Sequence, residues 1–331
     1  MQRRTLLRAG AGALFAAPAL ALTPLAAPAL AQSPWPNRPI RMIVPYTPGA
    51  ATDAMARLAA QKLQEQLGVT VVVENRSGAN GAIGSQAVLQ APADGYTILG
   101  SASIHPMAKY VMKAVPYDPV TDFVPIARTA RGPCVLVQDR RLPQSTLAET
   151  IAAVKAQPGK WSFATSSLGA AGHLASIEFN RLAGTQIEIV PYRGSAPALT
   201  DVAAGNVQLM FDPVLATLPM IRGGQLRGLG IATAARTDLA PELPTLAEEG
   251  LPGFTFYSWY GIWAPRGVPE EIAARLNQAV LAGLHEPETV RRLAGQGFEP
   301  VRESIPELEA FIRGDVARNA ALLRLANFEP Q

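Results

Sequence analysis

The stretch Ile40–Asp53, IRMIVPYTPGAATD, constrains the fold most strongly, because it specifies a buried strand, a tight turn and a helix start in succession. Its first five residues are mostly apolar and predict a strand over 40–44. The two prolines of the turn exclude helix there, and Gly49 permits backbone shapes that other residues avoid. A helix start offers unpaired N–H groups and partial positive charge. The turn is therefore either an ordinary connection capped by Thr52 or Asp53, or a receptor for a carboxylate or phosphate.

The rest of the chain repeats this alternation of strands and helices. Strands are predicted near 69–73, 96–100, 134–138, 162–164, 187–190, 207–211, 226–233 and 254–263. Helices are predicted near 52–67, 146–157, 171–182, 196–204, 214–222, 270–284, 287–295 and 305–326, and another from the end of the loop at Gly84 to about residue 90. No regular element is predicted over 104–130, where four prolines interrupt the pattern.

This order predicts an α/β fold of two lobes joined by crossing strands, each lobe a mostly parallel sheet flanked by helices. We expect 35–132 and 262–331 to form the first lobe and 133–261 the second. Ligands of such folds bind between the lobes, outside the carboxyl ends of the strands.

Residues 1–31 are predicted to be an export signal. A positive start, MQRRTLLR, precedes an apolar stretch and a small-x-small cleavage site at 29–31. The arginine pair at 3–4 fits a twin-arginine signal, and an ordinary secretory signal fits equally. Of the 29 basic residues three lie in this segment, so 26 basic and 26 acidic residues remain in the mature chain. That balance argues against a broad surface for nucleic acid or anionic membrane.

Sequence signatures of catalysis are scarce. The chain contains no G-x-S-x-G, H-E-x-x-H or C-x-x-C motif, and its three histidines are widely separated. The single cysteine, Cys134, lies in an apolar run and is predicted to be packed. We therefore expect neither enzymatic activity nor a cofactor or metal.

Three further loops lie between a strand and a helix. The Gly78–Gly84 loop has the spacing G-x-x-G-x-x-G, which is not the dinucleotide fingerprint, but it presents backbone N–H groups. The loop over 165–174 adds small hydroxyls, and its His173 is either a packed or capping histidine or a ligand contact. In the loop over 191–198, Arg193 is either a carboxylate partner or a surface charge. Asp212, after a strand, either accepts a hydrogen bond from a ligand or caps a helix.

Taken together, these loops resemble one known family over about residues 35–328. The chain resembles the Bug or TctC-like extracytoplasmic receptors, the substrate-binding components of tripartite tricarboxylate transporters. The matching residues are Val44–Gly49 with Thr52 and Asp53, Val73–Arg76 with Gly78–Gly81 and Gly84, Asp94–Thr97, His173 and Leu174, Val190–Gly194 with Pro197 and Ala198, Pro244 and Thr245 with Glu248 and Gly250, and Trp259 with Gly261, Ala264 and Pro265.

The resemblance implies a two-lobed periplasmic binding protein of the type II kind that holds a ligand carboxylate between loops 47–53 and 165–171. The chain departs from the family pattern in two loops. Ala50 stands where a second glycine is usual, which would limit backbone freedom. In the second loop Ser167 replaces a glycine and Ala170 a serine, so one hydroxyl donor is lost. The expected ligand-binding residues are Tyr46, Thr47, Gly49, Ala50, Ala51, Asp53, Asn80, Gly81, Thr165, Ser166, Ser167, Gly169, Ala170, His173, Arg193 and Asp212.

The resemblance also implies a biological function. We expect a monomeric receptor that captures a small carboxylate and delivers it to transporter subunits in the membrane. A periplasmic sensor for a signalling partner would use the same cleft. An exported hydrolase using Ser166, Ser167, His173 or Asp212 is a third alternative. Tyr46, Phe211, Tyr257 and Trp259 either line an aromatic-tolerant cleft or belong to the core, and the ligand's identity stays open.

Overall fold

A 17-residue strand, β4 (Phe123–Asp139), runs through the fold and takes part in two sheets. The computed structural model describes residues 35–331, so the expected export signal lies outside it. The first part of β4 pairs with β9 (Tyr257–Pro265), and residues 134–139 pair with β7 (Leu209–Pro213) and β8 (Leu226–Ile231). The two sheets are thus joined through one continuous backbone segment.

The first sheet has the strand order β2, β1, β3, β9, β4, with β10 on the far side of β4. Its parallel strands come from the beginning of the chain, and β9 and β10 come from the end. Its elements are β1 (Ile40–Val44), α1 (Ala51–Leu67), β2 (Val71–Asn75), α2 (Ala82–Leu89), β3 (Thr97–Ala102), α3 (Ala108–Val111), α8 (Glu270–Leu284), α9 (Pro287–Gly295) and β10 (Glu299–Pro300).

The second sheet has the strand order β8, β4, β7, β5, β6. Strands β5, β6 and β7 are parallel to one another. Its elements are α4 (Leu147–Ala156), β5 (Ser162–Thr165), α5 (Ala171–Ala183), β6 (Glu188–Pro191), α6 (Ser195–Ala204) and α7 (Val214–Arg222); the last helix, α10 (Ile305–Leu325), packs against both β4 and α5.

Both sheets are mixed rather than mostly parallel, which corrects one detail of the predicted fold class. Every antiparallel pair involves β4 or β9, the two long strands. The prediction also missed the first part of β4, because Pro125 and Pro133 interrupt it. Pro125 lies where the register with β9 shifts, and such irregularities accommodate proline in a sheet. The other predicted strands and helices are present, with ends that differ by a few residues.

Helical periodicity explains how the elements pack. The predicted apolar face of α1 is buried: Met55, Leu58 and Leu63 pack with residues of β1 in one core cluster.

Cys134 is fully buried in β4, as predicted, and burial raises the pKa of its thiol. Among residues 35–331, no helix is long and apolar enough to cross a membrane.

The start of α5 lies unusually close to β7. A Cβ atom built on Gly172 would lie 2.1 Å from the carbonyl oxygen of Phe211, which is backbone and cannot rotate away. Only glycine therefore permits this approach of helix and strand.

We predict that Gly172→Ala destabilises the protein by about 1–3 kcal/mol, because the methyl group must displace the helix from the strand. Gly314→Ala is the matched control, since Gly314 is also helical and has open space around its Cβ position. That change should stabilise by roughly 0.5–1 kcal/mol. Urea unfolding measures both; a Gly172→Ala variant as stable as wild type would contradict the close approach.

Candidate functional site

A cavity of about 670 Å³ lies at the carboxyl ends of the parallel strands of both sheets. Its walls come from the segments that follow β1, β2 and β3 on one side, and from the segments that follow β5 and β6 and the last residues of β7 on the other. Ser258 and Tyr260 of β9 also line it. This is the usual place and size for a small-molecule site in an α/β fold.

Five helices begin at this cavity without a side-chain cap: α7, which follows Pro213, and four others whose preceding residues are alanine or glycine. The residues that precede α1, α2, α5 and α6 are Ala50, Gly81, Ala170 and Gly194, and all four line the cavity. By contrast α4 and α10 begin elsewhere, and Thr146 and Ser304 give them complete capping boxes. The N–H groups at the cavity-facing starts therefore remain available to a ligand.

Charge at these helix starts favours an anion. The first turns of α2, α5 and α6 contain no acidic residue, so nothing in them neutralises the positive end of the helix dipole. Helices α4, α8, α9 and α10 begin away from the cavity, and each carries a glutamate in its first turn. Convergence of uncapped helix ends in one cavity makes it suited to a carboxylate or phosphate.

The loops before α1 and α5 share one design. Gly49 and Gly169 adopt left-handed backbone angles, with φ of 84° and 80°. Each glycine N–H donates to a side chain four residues later: Gly49 to Asp53 Oδ2 at 3.0 Å, and Gly169 to His173 Nδ1 at 3.1 Å. The alanine that follows each glycine is extended and precedes the helix. The two sheets thus present equivalent loops to the cavity.

Asp53 holds the first loop in place. Its Oδ2 also accepts from Arg57 Nε at 2.9 Å, and its Oδ1 accepts from Asn75 Nδ2 at 2.9 Å. The Asn75 amide donates as well to the carbonyl oxygen of Tyr46, which ties the loop to β2. Burial alone would raise the pKa of Asp53, but hydrogen bonds from Arg57, Gly49 and Asn75 outweigh it and lower the pKa.

His173 serves the second loop from within the protein. It is 1% exposed, does not line the cavity and packs edge-on against Phe328. Burial lowers the pKa of His173 to about 4, so the ring is neutral at pH 7 and its Nδ1 can accept the Gly169 N–H. Of the two roles that the sequence left open for His173, this position fits the packed, capping histidine and not a ligand contact.

Ala50 does not strain its loop, which corrects the expectation that a missing glycine limits the backbone there. Its φ and ψ are −75° and 164°, an extended conformation open to any residue. Ala170 adopts nearly the same angles, −67° and 159°. The positive φ that needs glycine falls one residue earlier in both loops, where glycine is kept.

A hydrogen-bonded contact joins the loops of the two sheets. Ser167 Oγ donates to Asn80 Oδ1, and Asn80 Nδ2 donates to the carbonyl oxygen of Leu168 at 3.2 Å. Asn80 and its neighbour Ala79 have φ of 50° and 45°, which is uncommon for residues other than glycine. The hydroxyl that the sequence gains at Ser167 therefore makes a loop-to-loop contact.

Only two charged side chains occur among the described residues that line the cavity, Arg193 and Asp212. Arg193 is exposed, whereas Asp212 is 1% exposed. Burial raises the pKa of Asp212 to about 7, although the nearby Ser195 and Ser166 hydroxyls act to lower it. Within 35–331 no cluster of three or more histidine, cysteine or acidic residues could hold a metal ion.

The cavity gathers most of the residues that the sequence proposed as ligand contacts. Those that line it are Tyr46, Thr47, Ala50, Ala51, Asn80, Gly81, Ser166, Ser167, Ala170, Arg193 and Asp212. The other five, Gly49, Asp53, Thr165, Gly169 and His173, do not. They build the loops instead: Thr165 is fully buried and its hydroxyl donates to the carbonyl oxygen of Ser167 at 3.3 Å.

Several lining residues were not predicted. Ser77, Ser103, Tyr192, Ser195, Ser258 and Tyr260 add hydroxyl groups to the wall. Tyr192 and Ser195 belong to a loop that the sequence had singled out for Arg193. Of the four aromatic residues considered, Tyr46 alone lines the cavity; Phe211 is fully buried, and Trp259 donates to Asp315 Oδ2 at 3.2 Å.

Comparison with known proteins gives one family. Residues 55–328 match the model of the tripartite tricarboxylate transporter family receptor. The chain is 37% identical to Rpa4515 of R. palustris, whose structure was solved with adipate; the match covers 90% of this chain and all of the other, with a TM-score of 0.85.

Two further structures are similar. The periplasmic binding protein BugD is 33% identical, with a TM-score of 0.82 and coverage of 90% of this chain and 100% of the other. MatC from Rhodopseudomonas palustris, solved with bound malate, is 30% identical, with a TM-score of 0.80 and coverage of 87% and 99%. These matches show the two-lobed periplasmic binding protein fold.

We predict that Asp53→Asn destabilises the protein by about 1–3 kcal/mol at pH 7, because one amide oxygen cannot accept all the bonds that two carboxylate oxygens accept. Since the pKa of Asp53 is lowered in the folded state, its contribution is complete above the unfolded pKa of about 4 and is lost as pH falls below it. The difference between wild type and variant in urea unfolding should therefore shrink at low pH.

Asp94→Asn is the control for this prediction, because Asp94 also accepts a bond from an arginine but its side chain is 38% exposed. Its effect should stay below about 1 kcal/mol. Equal small effects of both substitutions would show that Asp53 does not hold the loop.

Proposed function

Because the chain belongs to the tripartite tricarboxylate transporter receptor family, we propose that it captures a small carboxylic acid in the cavity and delivers it to membrane transporter subunits. The family is one of periplasmic receptors, and the related structures named above hold adipate and malate. The observation that carries the proposal for this chain is the convergence of uncapped helix starts on one cavity.

A ligand carboxylate suits these helix starts for electrostatic reasons. Each of its oxygens can accept two or more N–H bonds, and bonds to a charged acceptor are shorter and stronger than neutral ones. Hydroxyls such as those of Thr47 and Ser166 can add donors from the cavity wall. Arg193 contributes a positive charge at an exposed position, where it can attract an anion from solvent.

Binding would favour a closed arrangement of the two lobes. Loops from both sheets reach the cavity, and the Ser167–Asn80–Leu168 contact already joins them. A ligand that touches both sides stabilises the closed form over the open one by its extra contacts. We propose that transporter subunits recognise that closed form.

The proposed lobes are 35–132 with 262–331, and 133–261. The change of pairing partners within β4 supports the boundary near 133, because residues up to 133 pair with β9 and those from 134 pair with β7. At the other boundary, residues 257–261 of β9 pair with β3 and β4 of the first sheet. We also propose that residues 1–31, outside the described part, direct export and are removed.

The protein is a binding protein and not an enzyme, as are its family and the similar structures. The residues considered for a hydrolase have other tasks: His173 accepts the Gly169 N–H, and Ser167 donates to Asn80.

We predict that a thermal-shift screen of mono-, di- and tricarboxylic acids raises the melting temperature for one chemical class, because a ligand that binds only folded protein stabilises it by mass action. The neutral amides of the same acids should give no shift. No shift with any acid would contradict the proposal.

A pair of variants separates binding in the cavity from general attraction of anions. Arg193→Gln should lower the affinity for the acid that binds by about two- to five-fold, in line with the loss of an exposed charge pair. Arg291→Gln, on the exposed part of α9, should leave affinity unchanged. Equal losses in both would indicate a non-specific effect of net charge.

A further inference from the structure

Asp212 is a buried carboxylate that no described residue satisfies. It lies in β7, lines the cavity and is 1% exposed. Neither of its oxygens has a hydrogen-bond partner of ordinary geometry within residues 35–331. A buried polar group without a partner destabilises the fold, and it does so more strongly when it is charged. Such a group at the wall of a binding cavity is a site for a donor that arrives with the ligand.

The groups around Asp212 do not supply that donor. The Ser166 and Ser195 hydroxyls lie close enough to act on Asp212 as donors and to lower its pKa, but at their positions in the structure neither completes a hydrogen bond to its oxygens. Cys134 and Tyr260, both buried, are its other titratable neighbours, and burial raises the pKa of each, so both are neutral. Among the described lining residues the only cation, Arg193, is exposed, and no salt bridge joins it to Asp212.

Asp212 also limits which acids the cavity can bind. A second ligand carboxylate close to Asp212 would be repelled, because like charges interact more strongly in a protein interior than in water. A hydroxyl or ammonium group at the same place would instead form a charge-assisted hydrogen bond, which is stronger than a neutral one.

We propose that Asp212 accepts a hydrogen bond from a hydroxyl or ammonium group of the ligand, so that the preferred ligand is a hydroxy- or amino-substituted carboxylic acid. This proposal rests on the receptor function above and adds the substrate class. In this arrangement the helix starts bind the ligand carboxylate, and Asp212 accepts the hydrogen bond of the hydroxyl or ammonium substituent.

The test compares acids that differ only in that substituent. The pairs are malate with succinate, 2-hydroxyglutarate with glutarate, and 2-aminoadipate with adipate. Isothermal titration calorimetry at pH 8 measures affinity where Asp212 is mostly ionised. In wild type the substituted member of at least one pair should bind at least about ten-fold tighter. Asp212→Asn should reduce this preference at least about ten-fold, because the amide is a weaker acceptor and adds a donor toward the unsubstituted acid.

Asp238→Asn is the matched control, because Asp238 is exposed and makes no side-chain bond in the described structure. It should keep the wild-type preference. Comparison of the acids on wild type alone tests the proposal even if the Asp212 variant folds poorly.

Four outcomes would overturn the inference. The first three are no preference in wild type, a preference that survives Asp212→Asn, and tighter binding of an unsubstituted acid with uptake of about one proton. Titration in two buffers of different protonation enthalpy detects that uptake. Binding of other acids but of no member of the pairs would also overturn it. Failure of every acid in the thermal screen would instead reject the receptor function itself, so the two failures are distinguishable.

Discussion

The unpaired N–H groups of helix starts are the constraint on which this structure depends. A helix must leave its first N–H groups to a cap, to water or to a ligand, and here α1, α2, α5 and α6 leave theirs to one cavity. Much of the surrounding detail serves to aim those ends. Gly49 and Gly169 turn the chain into the helix, and Asp53 and His173 fix the turn from outside the cavity. Gly172 lets α5 approach β7 closely enough to bring its start to the wall.

Joining of the two sheets through β4 gives the cavity its two sides. The carboxyl ends of β1, β2 and β3 face it from one sheet and those of β5, β6 and β7 from the other. Because each side contributes equivalent loops, a ligand can be held from both at once, and the Ser167–Asn80 contact shows how close they come. Asp212 stands apart from this scheme as the one buried anion in an otherwise anion-friendly wall.

The sequence predicted the alternation of elements and the loops at the cavity, because glycine, proline and apolar periodicity act locally. It could not tell residues that shape a loop from those that line it: Asp53 and Gly49 lie in the expected loop but work behind it. It missed Ser258 and Tyr260, because β9 reads as a buried apolar strand and only its pairing decides which side chains reach the cavity. The limit on backbone freedom expected at Ala50 has no consequence for the loop, because Ala50 is extended and the positive φ falls on the neighbouring Gly49.

The most direct test of the account is a pair of amide ¹H–¹⁵N spectra, recorded without and with the acid that most raises the melting temperature. If helix starts hold the ligand carboxylate, the amide protons of Ala51, Ala171 and Ser195 should move strongly downfield on binding, as charge-assisted bonds form. The amides of Leu147 and Ile305, at the capped starts of α4 and α10, should stay in place. Binding that leaves the three cavity amides unchanged would contradict the account.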